Sequence, residues 1–236
     1  MKVVILAGGH GTRIADLTNL IPKPMVPIGG IPILVHIMKI YSSFGHREFC
    51  ILLGHKGSII KEYFLSEKFP EWEINLIETG EDTMTGGRLL KAKEIIDKDT
   101  FFLTYGDGLG NIDINALLKF HRKKNKMMTV TTVRPPARFG ELELDNDLVT
   151  SFDEKPQMQK GWINGGFFVV DPTFIDYIKD ETTMLEREPM QYLTKKQELV
   201  AFRHNGYWQC MDTKREFDHL NSMWNEGRPG WIMEDK

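Results

Sequence analysis

Val3-Val4-Ile5-Leu6-Ala7 runs without a polar residue into Gly8-Gly9-His10-Gly11-Thr12-Arg13, and Pro22-Lys23-Pro24-Met25 follows soon after. Five consecutive apolar residues are the pattern of a strand buried on both faces, as in a parallel sheet. A strand that empties into glycines lets backbone N–H groups approach an anion without interference from Cβ atoms. Arg13 and Lys23 add positive charge beside that turn, and the prolines on either side of Lys23 restrict its backbone. The stretch therefore reads as a phosphate-handling strand and turn. Two familiar glycine loops fail on required residues: Gly11 is followed by Thr12-Arg13 rather than Lys-Ser/Thr, and a dinucleotide fingerprint begun at Gly9 would need glycine where Ile14 stands.

Outward from this unit, strand and helix patterns alternate. Helical spacing covers Ile33 to Phe44, closed by Gly45; Glu48 to Leu53 reads as a strand, Ile59 to Leu65 as a helix and Trp72 to Glu78 as a strand. Arg88 to Ile96 reads as a helix, Phe101 to Tyr105 as a strand stopping at Gly106-Asp107-Gly108, Ile114 to His121 as a helix and Met128 to Val133 as a strand. Such alternation predicts βαβ units in an open, doubly wound α/β sheet. From Arg134 the rhythm shifts to short strands at Glu141 to Leu144, Val149 to Asp153 and Gly166 to Val170, which suggests a small mixed sheet inserted over the first half. Helix signals at Phe174 to Ile178 and Lys214 to Glu226 bracket a strand at Leu199 to His204. With no linker in sight, the expected organisation is one domain over 1–236, in two halves, 1–133 and 134–236.

The 236 residues are 41% hydrophobic, enough for a packed core, and a formal charge of −3 gives no general reason to expect nucleic acid or an anionic membrane as partner. The basic run from His121 to Lys126 reads as a solvated helix end. Cys50 and Cys210, the only cysteines, are too few for a disulfide scaffold or a cysteine-based zinc site. Neither a signal peptide nor a membrane-length apolar run is apparent, so the expectation is a cytoplasmic protein.

The pattern L-A-G-G-x-G-T-R followed by P-K-P-M is matched at every position, and on it the chain resembles the sugar-nucleotide pyrophosphorylases, the nucleotidyltransferases that join a nucleoside triphosphate to a sugar 1-phosphate. The resemblance implies a Rossmann-like, mixed but mostly parallel sheet with a small β-rich sugar-binding insertion. It implies Arg13 on the triphosphate tail and Lys23 on the α-phosphate and the attacking phosphate. It also places nucleotide contacts at Leu6, Ala7, Gly8, Gly9, Gly11 and Thr12, and base contacts at Thr85, Gly86, Gly87 and Arg88. Asp107, at the C-terminal end of a strand where α/β sheets bind ligands, is a plausible Mg²⁺ ligand, although Gly-Asp-Gly is also a common turn. The family completes that metal site with an aspartate matching Asp212, which reads equally as the N-cap of the following helix. Phe152-Asp153-Glu154-Lys155-Pro156 resembles the family's E-K-P motif, making Lys155 the acceptor-phosphate cation. Asn164 and Gly165 match its sugar-pocket segment, and Glu188, before Pro189, matches the sugar-hydroxyl glutamate better than Glu186 does.

Within the family, Thr85-Gly86-Gly87-Arg88-Leu89, Trp162 to Phe168 and Trp208 to Thr213 look most like the members that use CTP and glucose 1-phosphate. That resemblance implies CTP and a sugar 1-phosphate as partners, with another hexose or heptose 1-phosphate, acceptor or nucleotide as the alternative. It further implies a CDP-sugar product for surface polysaccharide and a homo-oligomeric assembly. One departure stands out: only Leu65 to Glu78 fills a gap where those members carry a longer segment, rich in His and Arg, associated with subunit contacts. A catalytically silent binding module would be expected to have lost such residues as Asp107 and Asp212, and a glycosyltransferase would usually carry a second acidic residue after Asp107, where Gly108-Leu109 stands.

Overall fold

The alternation of side chains across a strand resolves the first apolar run into two faces. Val3 and Ile5 enter one core cluster, while Val4 and Leu6 enter another on the opposite side of the sheet. In the computed structural model, which describes residues 1–96, 98–135, 140–153 and 161–233, both faces of that strand are covered. We number the strands of the central sheet in chain order: β1 Val3–Leu6, β2 Glu48–Leu53, β3 Glu73–Glu78, β4 Phe101–Tyr105, β5 Met128–Val133, β6 Ile163–Val170 and β7 Leu199–Arg203. Their order across the sheet is β7-β5-β6-β4-β1-β2-β3. Neighbours run parallel except β6, which is antiparallel to both β4 and β5. The expected mixed, mostly parallel sheet is thus present, and β1 lies inside it, where its lack of polar residues is required.

Helices of seven residues or more are α1 Ile33–Ser43, α2 Gly57–Ser66, α3 Thr85–Lys91, α4 Ile114–Lys124, α5 Glu188–Lys195 and α6 Lys214–Asn225. Asp113 caps α4, accepting from the Ala116 N–H at 2.8 Å, and Asn125 ends it in the left-handed region (φ 49°), so Arg122, Lys123 and Lys124 of the basic run lie at an exposed helix end while His121 is buried. No helix among the described residues is long and apolar enough to cross a membrane.

Several expectations shift. The helix expected from Arg88 to Ile96 starts three residues earlier, at Thr85, and is interrupted at Ala92 before a short turn of helix over Lys93–Ile96. The strand expected from Gly166 begins at Ile163 and belongs to the central sheet, so the inserted β structure reduces to the hairpin Glu141–Asp145 and Leu148–Asp153. Phe174 to Ile178 is a 3₁₀ turn over Pro172–Tyr177, and α5 had no counterpart in the sequence reading. Near the C-terminus, Trp231 is buried on the chain's own core beside His36 and Trp224, while Ile232 and Met233 remain exposed.

Candidate active site

Asp107 and Asp212 are brought together by a two-stranded ribbon. Just after β4, Gly108–Gly110 pairs antiparallel with Trp208–Cys210, with Gly108 opposite Cys210, and the Met211 N–H donates to the Asp107 carbonyl at 2.9 Å. Asp212 is not the N-cap of α6. Thr213 holds that role, with its hydroxyl accepting from the Glu216 N–H while the Glu216 carboxylate takes the N–H groups of Asp212 and Thr213 at 2.6 and 2.9 Å. This capping box fixes the turn and leaves the Asp212 carboxylate for other partners.

Those partners are the two cations of the opening motif. Lys23 Nζ lies 2.6 Å from Asp107 Oδ2 and 2.5 Å from Asp212 Oδ1, and Arg13 Nη1 donates to Asp212 Oδ2. Burial disfavours charge on Lys23, but the two carboxylates outweigh it and hold its pKa above the ordinary lysine value. Burial also pushes Asp212 upward, and Lys23 and Arg13 reverse that, keeping it below the usual aspartate range. Nearby Cys210 is pushed up to about 12, chiefly by burial, so it stays a neutral thiol.

Arg13, Asp107, Cys210 and Asp212 border a cavity of about 1250 Å³, larger than a pocket for one drug-sized molecule. Arg13, Asp107 and Asp212 line it together with Thr85, Asn164 and Gly165, all expected site residues. Asn164 Oδ1 accepts from the Gly166 N–H at 2.8 Å and its Nδ2 faces the Tyr105 hydroxyl at 3.3 Å. The Trp208 indole N–H donates to the Gly165 carbonyl at 2.8 Å, tying the two-stranded ribbon to β6.

Four expectations need correction or restriction. Glu188, the first residue of α5, does not line the cavity; Glu186 does, accepting from the Tyr105 hydroxyl at 2.6 Å and the Thr85 hydroxyl at 2.7 Å. Glu188 starts the helix, where a carboxylate is favoured by the N-terminal dipole, and that accounts for it without a ligand. Arg88 is buried beneath the glycine turn and donates to Leu53 O, Thr79 Oγ1, Gly80 O, Gly8 O and Glu81 O at 2.6–3.1 Å, so its guanidinium organises loops instead of facing the cavity. Gly86 and Gly87 are buried too: a Cβ on Gly87 would lie 2.3 Å from Glu181 O, and one on Gly86 2.8 Å from Thr183 O. Their missing side chains let the backbone over Glu181–Leu185 pack closely. Lys155 lies outside the described residues.

The glycine turn adjoins the cavity without lining it. Leu6 and Ala7 are buried at the end of β1, Gly8 is buried with its carbonyl bound to Arg88, and Gly9 is exposed. Gly11 has φ +64°, which favours glycine, and leads into the 3₁₀ turn Thr12–Ile14 that carries Arg13 outward. The sequence reading missed Tyr105 and Trp208 as site residues. Tyr105 ends an apolar strand two positions before Asp107, and that place was its signal.

Asp107 and Asp212 offer hard carboxylate oxygens, the donors magnesium prefers, and few of them are needed when phosphates and water supply the rest. The Lys23 ammonium stands between them, which shows that the spacing accommodates a cation.

A family model described as nucleotidyl transferase matches residues 2–219. The chain is 46% identical to a Bacillus subtilis (strain 168) protein named probable glucose-1-phosphate cytidylyltransferase, over 98% of this chain and 99% of that one. It is 44% identical to the glucose-1-phosphate cytidylyltransferase of Salmonella typhi, over 98% of each. The first alignment extends over 252 positions, more than this chain has residues, so that relative carries residues absent here. Among solved structures, HddC from Yersinia pseudotuberculosis superposes with a TM-score of 0.76 at 25% identity, over 94% of this chain and 99% of that one.

Proposed function

Because the chain belongs to the nucleotidyl transferase family, we propose that it transfers the cytidylyl group of CTP to glucose 1-phosphate, forming CDP-glucose and releasing pyrophosphate. The observation that carries the site assignment is the meeting of Arg13, Lys23, Asp107 and Asp212 beside a cavity that Asn164 and Glu186 also line.

An oxygen of the sugar phosphate attacks the α-phosphorus of CTP, and the bond from that phosphorus to the β-phosphate oxygen breaks. The protein's task is positioning and neutralising charge. Lys23 holds the α-phosphate and the incoming phosphate. Arg13, on its exposed turn, neutralises the departing pyrophosphate. Asp107 and Asp212 would hold Mg²⁺, which when bound supplies further charge neutralisation to the phosphates. Lys155 receives the acceptor's phosphate, while Asn164, the Gly165 backbone and Glu186 orient the sugar hydroxyls. Thr85 lines the nucleotide's side, and the backbone from Leu6 to Thr12 adjoins it.

Self-association goes with this reading, and the exposed Leu142, Leu148, Val149 and Phe152 of the hairpin offer apolar surface for it. Its substrates, charged metabolites that do not cross membranes unaided, favour the cytoplasm. The test is pyrophosphate release with Mg²⁺, trying CTP, UTP, dTTP, GTP and ATP against a panel of sugar 1-phosphates. Release with CTP and glucose 1-phosphate is expected; efficient turnover only with another nucleotide would sink the CTP assignment, and only with another acceptor would sink the glucose assignment.

A further inference from the structure

A second group of side chains with metal-ligating chemistry shares no residue with the aspartate pair, although His10 belongs to the turn placed on the nucleotide's side. β1, β2 and β3 are adjacent and parallel, so the loops that leave their C-terminal ends crowd together at one edge of the sheet. Each contributes one donor: His10 after β1, His55 after β2 and Glu81 after β3. One ligand atom from each residue lies within 4.8 Å of the other two. His55 Nδ1 and Glu81 Oε1 are 2.7 Å apart, and the His10 ring leans over that of His55 at 4.5 Å between centroids.

We propose that His10, His55 and Glu81 form a binding site for a zinc-class divalent ion, distinct from the Asp107–Asp212 pair. Two imidazoles and one carboxylate are the donors that zinc and its borderline neighbours take, with a fourth position left to water. Donors about 2.0–2.2 Å from a tetrahedral ion stand roughly 3.3–3.5 Å from one another, so the observed spread requires modest side-chain rotation. The side chains can make it. Their relative exposures are 49% for His10, 23% for His55 and 63% for Glu81, which also leaves the site open to entry from solvent.

The backbones that carry them are held in place. The Gly8 carbonyl accepts from both the His55 N–H, at 3.2 Å, and Arg88, and the same guanidinium nitrogen donates to Glu81 O at 3.1 Å. One buried arginine therefore braces all three loops, and an ion would cross-link them from the solvent side. Donor chemistry sorts the two sites, since hard oxygens at Asp107 and Asp212 suit magnesium whereas the imidazole pair does not.

The decisive experiment is calorimetric titration of the full, chelator-stripped chain with Zn²⁺ in the presence of excess Mg²⁺. It would be run on wild type, Asp107→Asn, Glu81→Gln and His55→Ala, with visible spectra of the Co²⁺ forms as a second readout. One ion per chain should bind wild type and Asp107→Asn alike. Affinity should fall at least about tenfold in Glu81→Gln and a hundredfold in His55→Ala, with loss of the Co²⁺ bands, as direct ligands should cost no less than outer-shell partners do. Glu81→Gln changes one exposed atom, so its result does not depend on tolerance of the larger truncation. Undiminished binding by both variants of the cluster, or loss of binding in Asp107→Asn, overturns the proposal.

Discussion

Replacing Arg88 by lysine keeps the charge but removes the fork that joins Gly8, Leu53 and the Thr79–Glu81 turn. Five acceptors use the guanidinium, whereas an ammonium has three donors, so at least two lose their arginine partner. A fully orphaned buried acceptor costs about 1–3 kcal/mol. Two of the five have other donors, because Leu53 O also takes the Thr79 N–H and hydroxyl and Gly8 O also takes the His55 N–H. Gly80 O and Glu81 O are reached only at part-buried contacts, where water can replace the arginine. The low end applies, and the expected loss is about 2 kcal/mol. For a chain of this size that is roughly 4–8 °C in Tm.

Differential scanning calorimetry and urea unfolding read the stability loss, and a lowered midpoint at unchanged slope would show that the denatured state is not responsible. The kinetics should be asymmetric as well. On the proposed function the Gly8 turn takes the nucleotide, so ordering that turn becomes a cost of binding CTP, and about 1.4 kcal/mol of it would raise KM for CTP roughly tenfold. The KM for glucose 1-phosphate should barely move. A Tm within 1 °C of wild type, or equal changes in both Michaelis constants, would refute the view of Arg88 as the brace of these loops.

Asp107→Asn should retain the fold while turnover falls about 10²–10³-fold, as for loss of other preorganised charge-stabilising groups; pyrophosphate release beside circular dichroism checks it, and unchanged turnover removes Asp107 from the catalytic set. Glu186→Gln should raise KM for the sugar phosphate about tenfold or more, with Glu188→Gln near wild type; a reversal would return the sugar-hydroxyl role to Glu188. The folded pKa of Asp212 is depressed, so the stability it confers is present above the ordinary aspartate value near pH 4 and is lost as pH falls through the folded value. Unfolding free energies of wild type and Asp212→Asn should therefore differ by a constant amount from about pH 5 to 9 and converge in acid, and a gap that widened in acid would contradict the ion pairs seen here.

How far residues alone reach is clearest from cases. β1, β2 and β4 could be bounded almost to the residue, because buried parallel strands demand unbroken apolar runs and few alternative conformations satisfy them. The unread α5 is short, carries a proline, and draws its order from packing, which local pattern does not encode. Asp107 and Asp212 could be nominated individually, but the ribbon that joins them is a long-range pairing of two three-residue strands, too short to signal itself. Glu186 and Glu188 stand two positions apart, and only the start of a helix decides which one faces the cavity. For Gly86-Gly87, which the resemblance assigned to the base, the close neighbour in the fold is the protein's own backbone.

The position of Lys23 gives the site a logic that its motif does not. Two carboxylates this close would repel each other and resist ionising together, yet Lys23 bridges both and Arg13 joins at Asp212. The four groups carry two positive and two negative charges, so the cluster is neutral and satisfied without substrate. Phosphates entering the cavity compete with the carboxylates for Lys23 and Arg13, and each cation drawn to phosphate leaves an aspartate oxygen in need of positive charge. Nucleotide binding and divalent-ion binding should accordingly strengthen each other, through an exchange of partners on Lys23 and without any larger movement of the sheet. The short side chain of Ala at position 23 would uncouple them, because the aspartates would then demand a counter-ion whether or not nucleotide were present.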